Sequence, residues 1–124
     1  MNRRDDLHGL ALRLSADLGE RRIVTSQMVM VEVLNSFSEF GPHFRLMASR
    51  FVEALLRDPK IEIVEQTGAL FGAACALYKA RADKAWSLTD CASFTIMQQA
   101  GITDALTHDL HFSQIGFVAM MRNT

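Results

Sequence analysis

Short β-branched segments alternate with longer segments of helical periodicity along this chain, and this alternation limits the folds open to it. The segments RRIVTS and IEIVE (residues 21–26 and 61–65) are predicted strands. Helices are predicted over residues 3–17, 27–40, 43–57, 66–80 and 88–100, and two more short strands within 104–109 and 116–120. Ser26 is the expected N-cap of the second helix, and Gly101 is expected to end the last one. The inward face predicted for the helix over 66–80 consists of Ala69, Ala73, Ala76 and Leu77. Strands that alternate with helices are typical of an α/β domain with a parallel sheet.

The bulk properties limit the class of protein. A chain of 124 residues suits one domain, and 49% hydrophobic residues are enough for a buried core. A net charge of -1 provides no attraction of the whole chain for nucleic acid, so such binding needs a local basic patch. The two cysteines, Cys75 and Cys91, have no zinc-site spacing and are interpreted as small, inert core residues. No apolar run reaches the length of a membrane helix. We therefore expect a single soluble, cytoplasmic domain over residues 1–124 with no membrane partner.

Three acids are placed where a parallel sheet gathers ligand-binding groups, beyond the carboxyl ends of its strands. Glu32 is the one charged residue between Gln27 and Ser38. Asp90 opens an apolar helix, and Asp109 ends the segment ALTH. Each acid also has a purely structural interpretation: Glu32 could belong to the solvent-exposed stripe of an amphipathic helix, Asp90 to a capping box, and Asp109 to a turn. The pattern alone leaves both readings open.

Other polar residues near these acids have weaker signals. His108 and His111 make a poor zinc pair without a third ligand, so we interpret them as surface or substrate-facing groups. Arg81 and Lys84 belong either to a solvated loop or to contacts with RNA phosphates. Asp104 is interpreted as a turn or strand-start residue.

Four segments together resemble a known family. RRIVTSQMVMVEVLN, DPKIEIVE, DKAWSLTDCASF and GITDALTHDLHFSQIGF are similar in order and spacing to the PIN-domain family, in particular to VapC-type toxin ribonucleases. The resemblance implies a three-layer fold in which helices flank a central parallel sheet. It also implies a metal-dependent endoribonuclease that is the toxin of a type II toxin–antitoxin pair.

The resemblance implies roles for particular residues. Glu32, Asp90 and Asp109 match three acids of the family that bind Mg²⁺ or Mn²⁺, and Ser87 or Thr89 would support them. Hard divalent ions prefer carboxylate oxygens, and such an ion activates water and stabilises charge on a phosphate. The expected partners are an RNA substrate, a cognate antitoxin and a second copy of the chain. The residues expected to contact substrate are Arg81, Lys84 and His108.

One part of the family pattern does not match. The family begins with a hydrophobic strand that ends in a metal-binding Asp, whereas MNRRDDLH resembles the segment after that strand. Asp5 and Asp6 precede an amphipathic helix and are not expected to replace the missing ligand. We therefore expect either a translation start upstream of Met1 or an N-terminally incomplete domain. The second case predicts a catalytically impaired PIN-fold module that binds RNA or antitoxin.

Overall fold

The computed structural model describes residues 22–101, 104–105 and 120–122. The elements in these ranges are, in chain order, β1 (Arg22–Ser26), α1 (Gln27–Phe37), α2 (Pro42–Arg57), β2 (Ile61–Val64), α3 (Gly68–Ala80), α4 (Leu88–Ala100), β3 (Asp104–Ala105) and β4 (Met120–Arg122). Within the same ranges, no helix is both long and apolar enough to cross a membrane.

The four described strands form one sheet in the order β2-β1-β4-β3. β1 and β2 are parallel, with Ile23 opposite Ile61 and Ser26 opposite Val64. β4 pairs antiparallel with both β1 and β3. The predicted α/β class is confirmed, with β1 and β2 as the parallel part of a mixed sheet. β3 begins at Asp104, as expected, whereas β4 lies at and beyond the end of the strand predicted over 116–120.

The chain passes directly from β1 into α1 at a buried serine. The side-chain oxygen of Ser26 accepts a hydrogen bond of 3.2 Å from the backbone N–H of Val29, which satisfies one of the free donors of the first helical turn. This confirms the predicted N-cap. Ile23 and Val24 of β1 are almost fully buried, so the start of α1 is fixed at the carboxyl end of a core strand.

The apolar stripe of α2 faces the core. Its members pack against the buried residues Phe37 and Ala48, and they are Phe44, Met47 and Phe51. The ring centroids of Phe37 and Phe44 lie 6.5 Å apart, which ties α2 to the end of α1. This stripe therefore contributes to the core and gives no support to a dimer surface on this face.

The buried face of α3 differs from the predicted one. The sequence pattern placed Ala69, Ala73, Ala76 and Leu77 inward. Leu77 does pack, partly buried, against the core, but Ala69 and Ala76 are exposed and Ala73 is only half-buried. The buried residues are Leu70 and Ala74, which lie one turn apart and face α4. Burial of a leucine stabilises a helix position far more than burial of an alanine methyl group, so Leu70 determines the orientation of α3.

The corner between α3 and α4 lies over the beginning of α1. Ala74, Cys91 and Ala92 form a small buried cluster. The partly buried side chains that pack against it come from three elements and the loop before α4: Met28, Leu77, Trp86 and Leu88. Because Met28 is in the first turn of α1, the start of α4 lies beyond the carboxyl end of β1, where a ligand site is expected.

Candidate functional site

Glu32 meets the first turn of α4 across a long sequence separation. The side-chain hydroxyl of Thr89 donates a hydrogen bond to Oε1 of Glu32, 57 residues away in the chain. Thr89 is 3% exposed and Glu32 is half-buried. The interpretation of Glu32 as part of a solvent-exposed stripe therefore holds only for the exposed part of its side chain. Its carboxylate is fixed at the junction between α1 and α4.

Asp90 closes a capping box at the start of α4. Its backbone N–H donates to Oγ of Ser87 at 3.0 Å, and its Oδ2 accepts from the backbone N–H of Ser87 at 3.0 Å. The capping reading of Asp90 is thus confirmed. Among the described residues, no hydrogen bond or ion pair involves its other oxygen, Oδ1. The cap therefore orients the carboxylate and leaves one of its oxygens available.

The structure thus brings two of the three predicted acids to the same helix end. Thr89, which holds Glu32, is the residue next to Asp90, and the partial positive charge of a helix N-terminus favours carboxylates there. Asp109 and His108 lie outside the described residues. Within the described ranges, no three His, Cys, Asp or Glu side chains are grouped for a metal ion.

The donors present at this helix end fit a hard divalent ion. Mg²⁺ keeps several waters in proteins and commonly takes only one or two carboxylates. Glu32 and Asp90 each use one oxygen in a structural hydrogen bond. One turn further along α4, the hydroxyl oxygen of Ser93 is fully buried and has no hydrogen-bond partner within the described part of the chain. The carboxylate oxygens suit Mg²⁺ or Mn²⁺ rather than a softer metal.

The loop before α4 contains an ordered ion pair. Nε and Nη2 of Arg81 donate to the two carboxylate oxygens of Asp83, each at 3.0 Å, and the guanidinium lies 5.0 Å from the ring centroid of Trp86. This hydrogen-bonded pairing raises the pKa of Arg81 and lowers that of Asp83. The charge of Arg81 is therefore already matched, which disfavours it as a phosphate contact. Nζ of Lys84 lies 5.9 Å from the same ring and has no carboxylate partner among the described residues.

Two residues that the sequence reasoning missed line a depression beside this loop. Tyr78 and Lys79, in the last turn of α3, join Lys84 and Trp86 around an open depression of about 580 Å³. The Tyr78 side chain is 56% exposed. The sequence does contain a signal for this surface. The one tyrosine of the chain stands next to a lysine, at the end of the predicted helix that leads into ARADKAW.

The two cysteines differ in environment. Cys91 is fully buried, and this burial raises the pKa of its thiol, to which the neighbouring Asp90 carboxylate and Cys75 add. A thiol held in its neutral form is a poor nucleophile and a poor metal ligand. The prediction of an inert core cysteine is confirmed for Cys91, whereas Cys75 is only half-buried.

Comparison with known proteins agrees with this arrangement. The sequence model of the PIN domain family matches residues 1–118, a range that includes α1 with Glu32 and α4 with Asp90. No curated protein and no solved structure matches the chain. The family match extends over nearly the whole sequence and contains all four described helices. The chain therefore belongs to the PIN domain family.

Proposed function

We propose that this protein is a metal-dependent endoribonuclease that hydrolyses RNA phosphodiester bonds and acts as the toxin of a type II toxin–antitoxin pair. Membership of the PIN domain family indicates a nuclease-type function. The observation that carries the proposal is the hydrogen bond from Thr89 to Glu32, because it brings the Glu32 carboxylate to the helix end that contains Asp90.

Glu32, Asp90 and Asp109 are the proposed ligands of Mg²⁺ or Mn²⁺, with Asp109 assigned from the sequence pattern. A bound ion supplies positive charge at the scissile phosphate and acidifies water. Thr89 holds Glu32, and Ser87 holds Asp90, so each carboxylate is oriented before the ion arrives.

The proposed substrate contacts lie beside these acids. Lys84 provides a cation near the start of α4, and His108 is assigned from sequence alone. Arg81 contributes by shaping the loop through its pair with Asp83 rather than by contacting phosphate. RNA phosphates and the acid pair repel each other, so nearby cations lower the cost of bringing the strand to the site.

The proposed protein partners follow from the same chemistry. PIN domains typically bind RNA and often pair with antitoxins. An antitoxin arginine placed against Glu32 and Asp90 would form charge-assisted hydrogen bonds and exclude the ion. A homodimer is proposed from the resemblance to VapC-type toxins, without a surface assigned to it.

Two isosteric substitutions test the nuclease. Asp90→Asn keeps an oxygen for the capping box and removes the charge, so the fold should persist while RNA cleavage in Mg²⁺ is lost. Glu32→Gln should act in the same way, because its amide oxygen still accepts from Thr89. Glu53→Gln is the matched control, since Glu53 is exposed on α2 and its carboxylate accepts from Ser49 of the same helix. Undiminished cleavage by Asp90→Asn would remove that residue from the proposed site.

The second candidate is a catalytically impaired PIN-fold module that binds RNA or antitoxin. It is favoured by the lack, within the described ranges, of a third His, Cys, Asp or Glu side chain grouped with the two carboxylates. A ligand that binds only the native state raises the melting temperature. RNA binding with no cleavage, together with an unchanged Tm in excess Mg²⁺ and Mn²⁺, would select this candidate over the nuclease.

A further inference from the structure

We infer that the depression at the corner between α3 and α4 binds single-stranded RNA, with Tyr78 as the surface on which a base stacks and Lys79 and Lys84 as phosphate contacts. The inference rests on the proposed function. It adds a place for the substrate strand beside the acid pair.

Tyr78 provides the accessible aromatic face of this depression. It is 56% exposed at the end of α3. Trp86 is covered instead: the Phe94 ring centroid lies 4.7 Å from its own, and the Arg81 guanidinium lies 5.0 Å from its centroid. An exposed aromatic ring stacks on any base, because every base has a π-face. Trp86 therefore shapes the depression, and Tyr78 meets the ligand.

The charge of the depression comes from two lysines. Lys79 and Lys84 line it, and neither has a carboxylate partner among the described residues. Asp83 is already bound to Arg81 by two hydrogen bonds, so it does not neutralise the lysines. The chain as a whole has a net charge of -1, so this is a local basic patch on a protein with no general attraction for polyanions. Cations beside an aromatic ring are the usual means of holding a single strand.

The depression is adjacent to the proposed metal site. Trp86 directly precedes Ser87, whose backbone N–H and hydroxyl hold Asp90 in the capping box. Trp86 also packs on the cluster that contains Cys91, in the first turns of α4. A strand with one base on Tyr78 would therefore continue past the capping turn to the acids. Stacking on Tyr78 requires an unpaired base, which favours a single strand over a duplex.

The test measures binding without divalent ions. The whole chain is titrated with oligouridylate in a chelator, and the fluorescence of Trp86, the one tryptophan in the sequence, reports occupancy. Tyr78→Ala should weaken binding about tenfold, whereas Tyr78→Phe keeps the ring and should bind nearly as the unmodified chain does. Removal of both cations by Lys79→Gln with Lys84→Gln should weaken binding and reduce the slope of log K against log salt by about 1.4, which is about 0.7 per cation.

Lys60→Gln is the matched control. Lys60 precedes the amino end of β2, whereas the start of α4 lies beyond the carboxyl end of the parallel neighbour β1, so its loss should leave the affinity unchanged. If Tyr78→Ala and the double lysine variant bind oligouridylate as tightly as the unmodified chain does, the inference is overturned. If the unmodified chain binds a duplex of oligouridylate and oligoadenylate as tightly as it binds single-stranded oligouridylate, the inference is overturned as well.

The outcome also separates this inference from the proposed function. If the depression binds oligouridylate as described but Mg²⁺ produces no cleavage, the nuclease proposal fails and the RNA subsite stands. If RNA is cleaved with the same kcat/KM by Tyr78→Ala and by the double lysine variant, the subsite fails and the nuclease proposal stands.

Discussion

Removal of the Thr89 hydroxyl is expected to destabilise the protein through its contact with Glu32. Thr89→Val keeps the shape of a side chain that is 3% exposed, so it creates no large cavity. Hydrogen bonds to charged groups contribute about 1.5–3 kcal/mol. Glu32 is half-buried, and water partly replaces the lost donor, so the lower end of about 1.5 kcal/mol applies.

This free energy is large enough to measure by thermal unfolding. An unfolding entropy of about 2.1 cal/mol/K per residue gives roughly 0.26 kcal/mol/K for 124 residues. A loss of about 1.5 kcal/mol then lowers Tm by about 6 °C. Combination with Glu32→Ala completes a double-mutant cycle. Because either single change removes the same hydrogen bond, the cycle should give a coupling of about 1.5 kcal/mol.

Thr95→Val is the matched control for this cycle. Thr95 is also buried on α4, but its hydroxyl donates to the backbone oxygen of Cys91 at 2.8 Å and does not contact Glu32. Its effect should add to that of Glu32→Ala within about 0.5 kcal/mol. A coupling between Thr89 and Glu32 no larger than that of the control pair would refute the assignment of a stabilising contact at the junction of α1 and α4.

Three further perturbations test the same region. Ser87→Ala should lower the free energy of unfolding by about 1 kcal/mol through loss of the cap, measured by urea unfolding, and no loss would contradict the capping box. Because the hydrogen bond from Arg81 lowers the pKa of Asp83, the ion pair should persist as the pH falls to the ordinary aspartate pKa of 3.8 and be lost only below it. The NMR shift of the Arg81 Nε–H reports this loss, and loss at a higher pH would contradict the pairing. Because burial raises the pKa of Cys91, iodoacetamide at pH 8 should modify Cys75 before Cys91 in the native protein. Mass spectrometry of peptides measures the order, and earlier modification of Cys91 would contradict the prediction.

The features that could be predicted from the sequence are those set by local chemistry. The caps at Ser26 and Ser87 were predicted because serine side chains satisfy backbone donors two or three residues away. Gly101 ends α4 with φ of +69°, a left-handed conformation that glycine adopts without a steric penalty. Such signals depend on a few neighbouring residues, so no knowledge of tertiary packing is needed.

The features that the sequence did not reveal depend on packing. The alanines of α3 were assigned to the wrong face because an alanine-rich helix has a weak periodic signal, and contact with α4 selects Leu70 and Ala74 beside the correctly predicted Leu77. The bond between Thr89 and Glu32 joins two elements far apart in the chain, and no pattern specified that pair. Tyr78 was assigned only to a helix, because its exposure beside Trp86 depends on how the loop folds back.

A structural hydrogen bond and metal binding are compatible roles for Glu32 and Asp90. A carboxylate has two oxygens, and in both Glu32 and Asp90 one of them accepts a structural hydrogen bond. That bond removes rotational freedom from the side chain during folding. Ligand binding then loses less side-chain entropy, because the carboxylate is already ordered. The second oxygen is then left for a ligand on a side chain that is already ordered, as an effective binding site requires. It follows that loss of the Ser87 or Thr89 donor should weaken binding of a divalent ion as well as the fold, although neither hydroxyl is a proposed ligand.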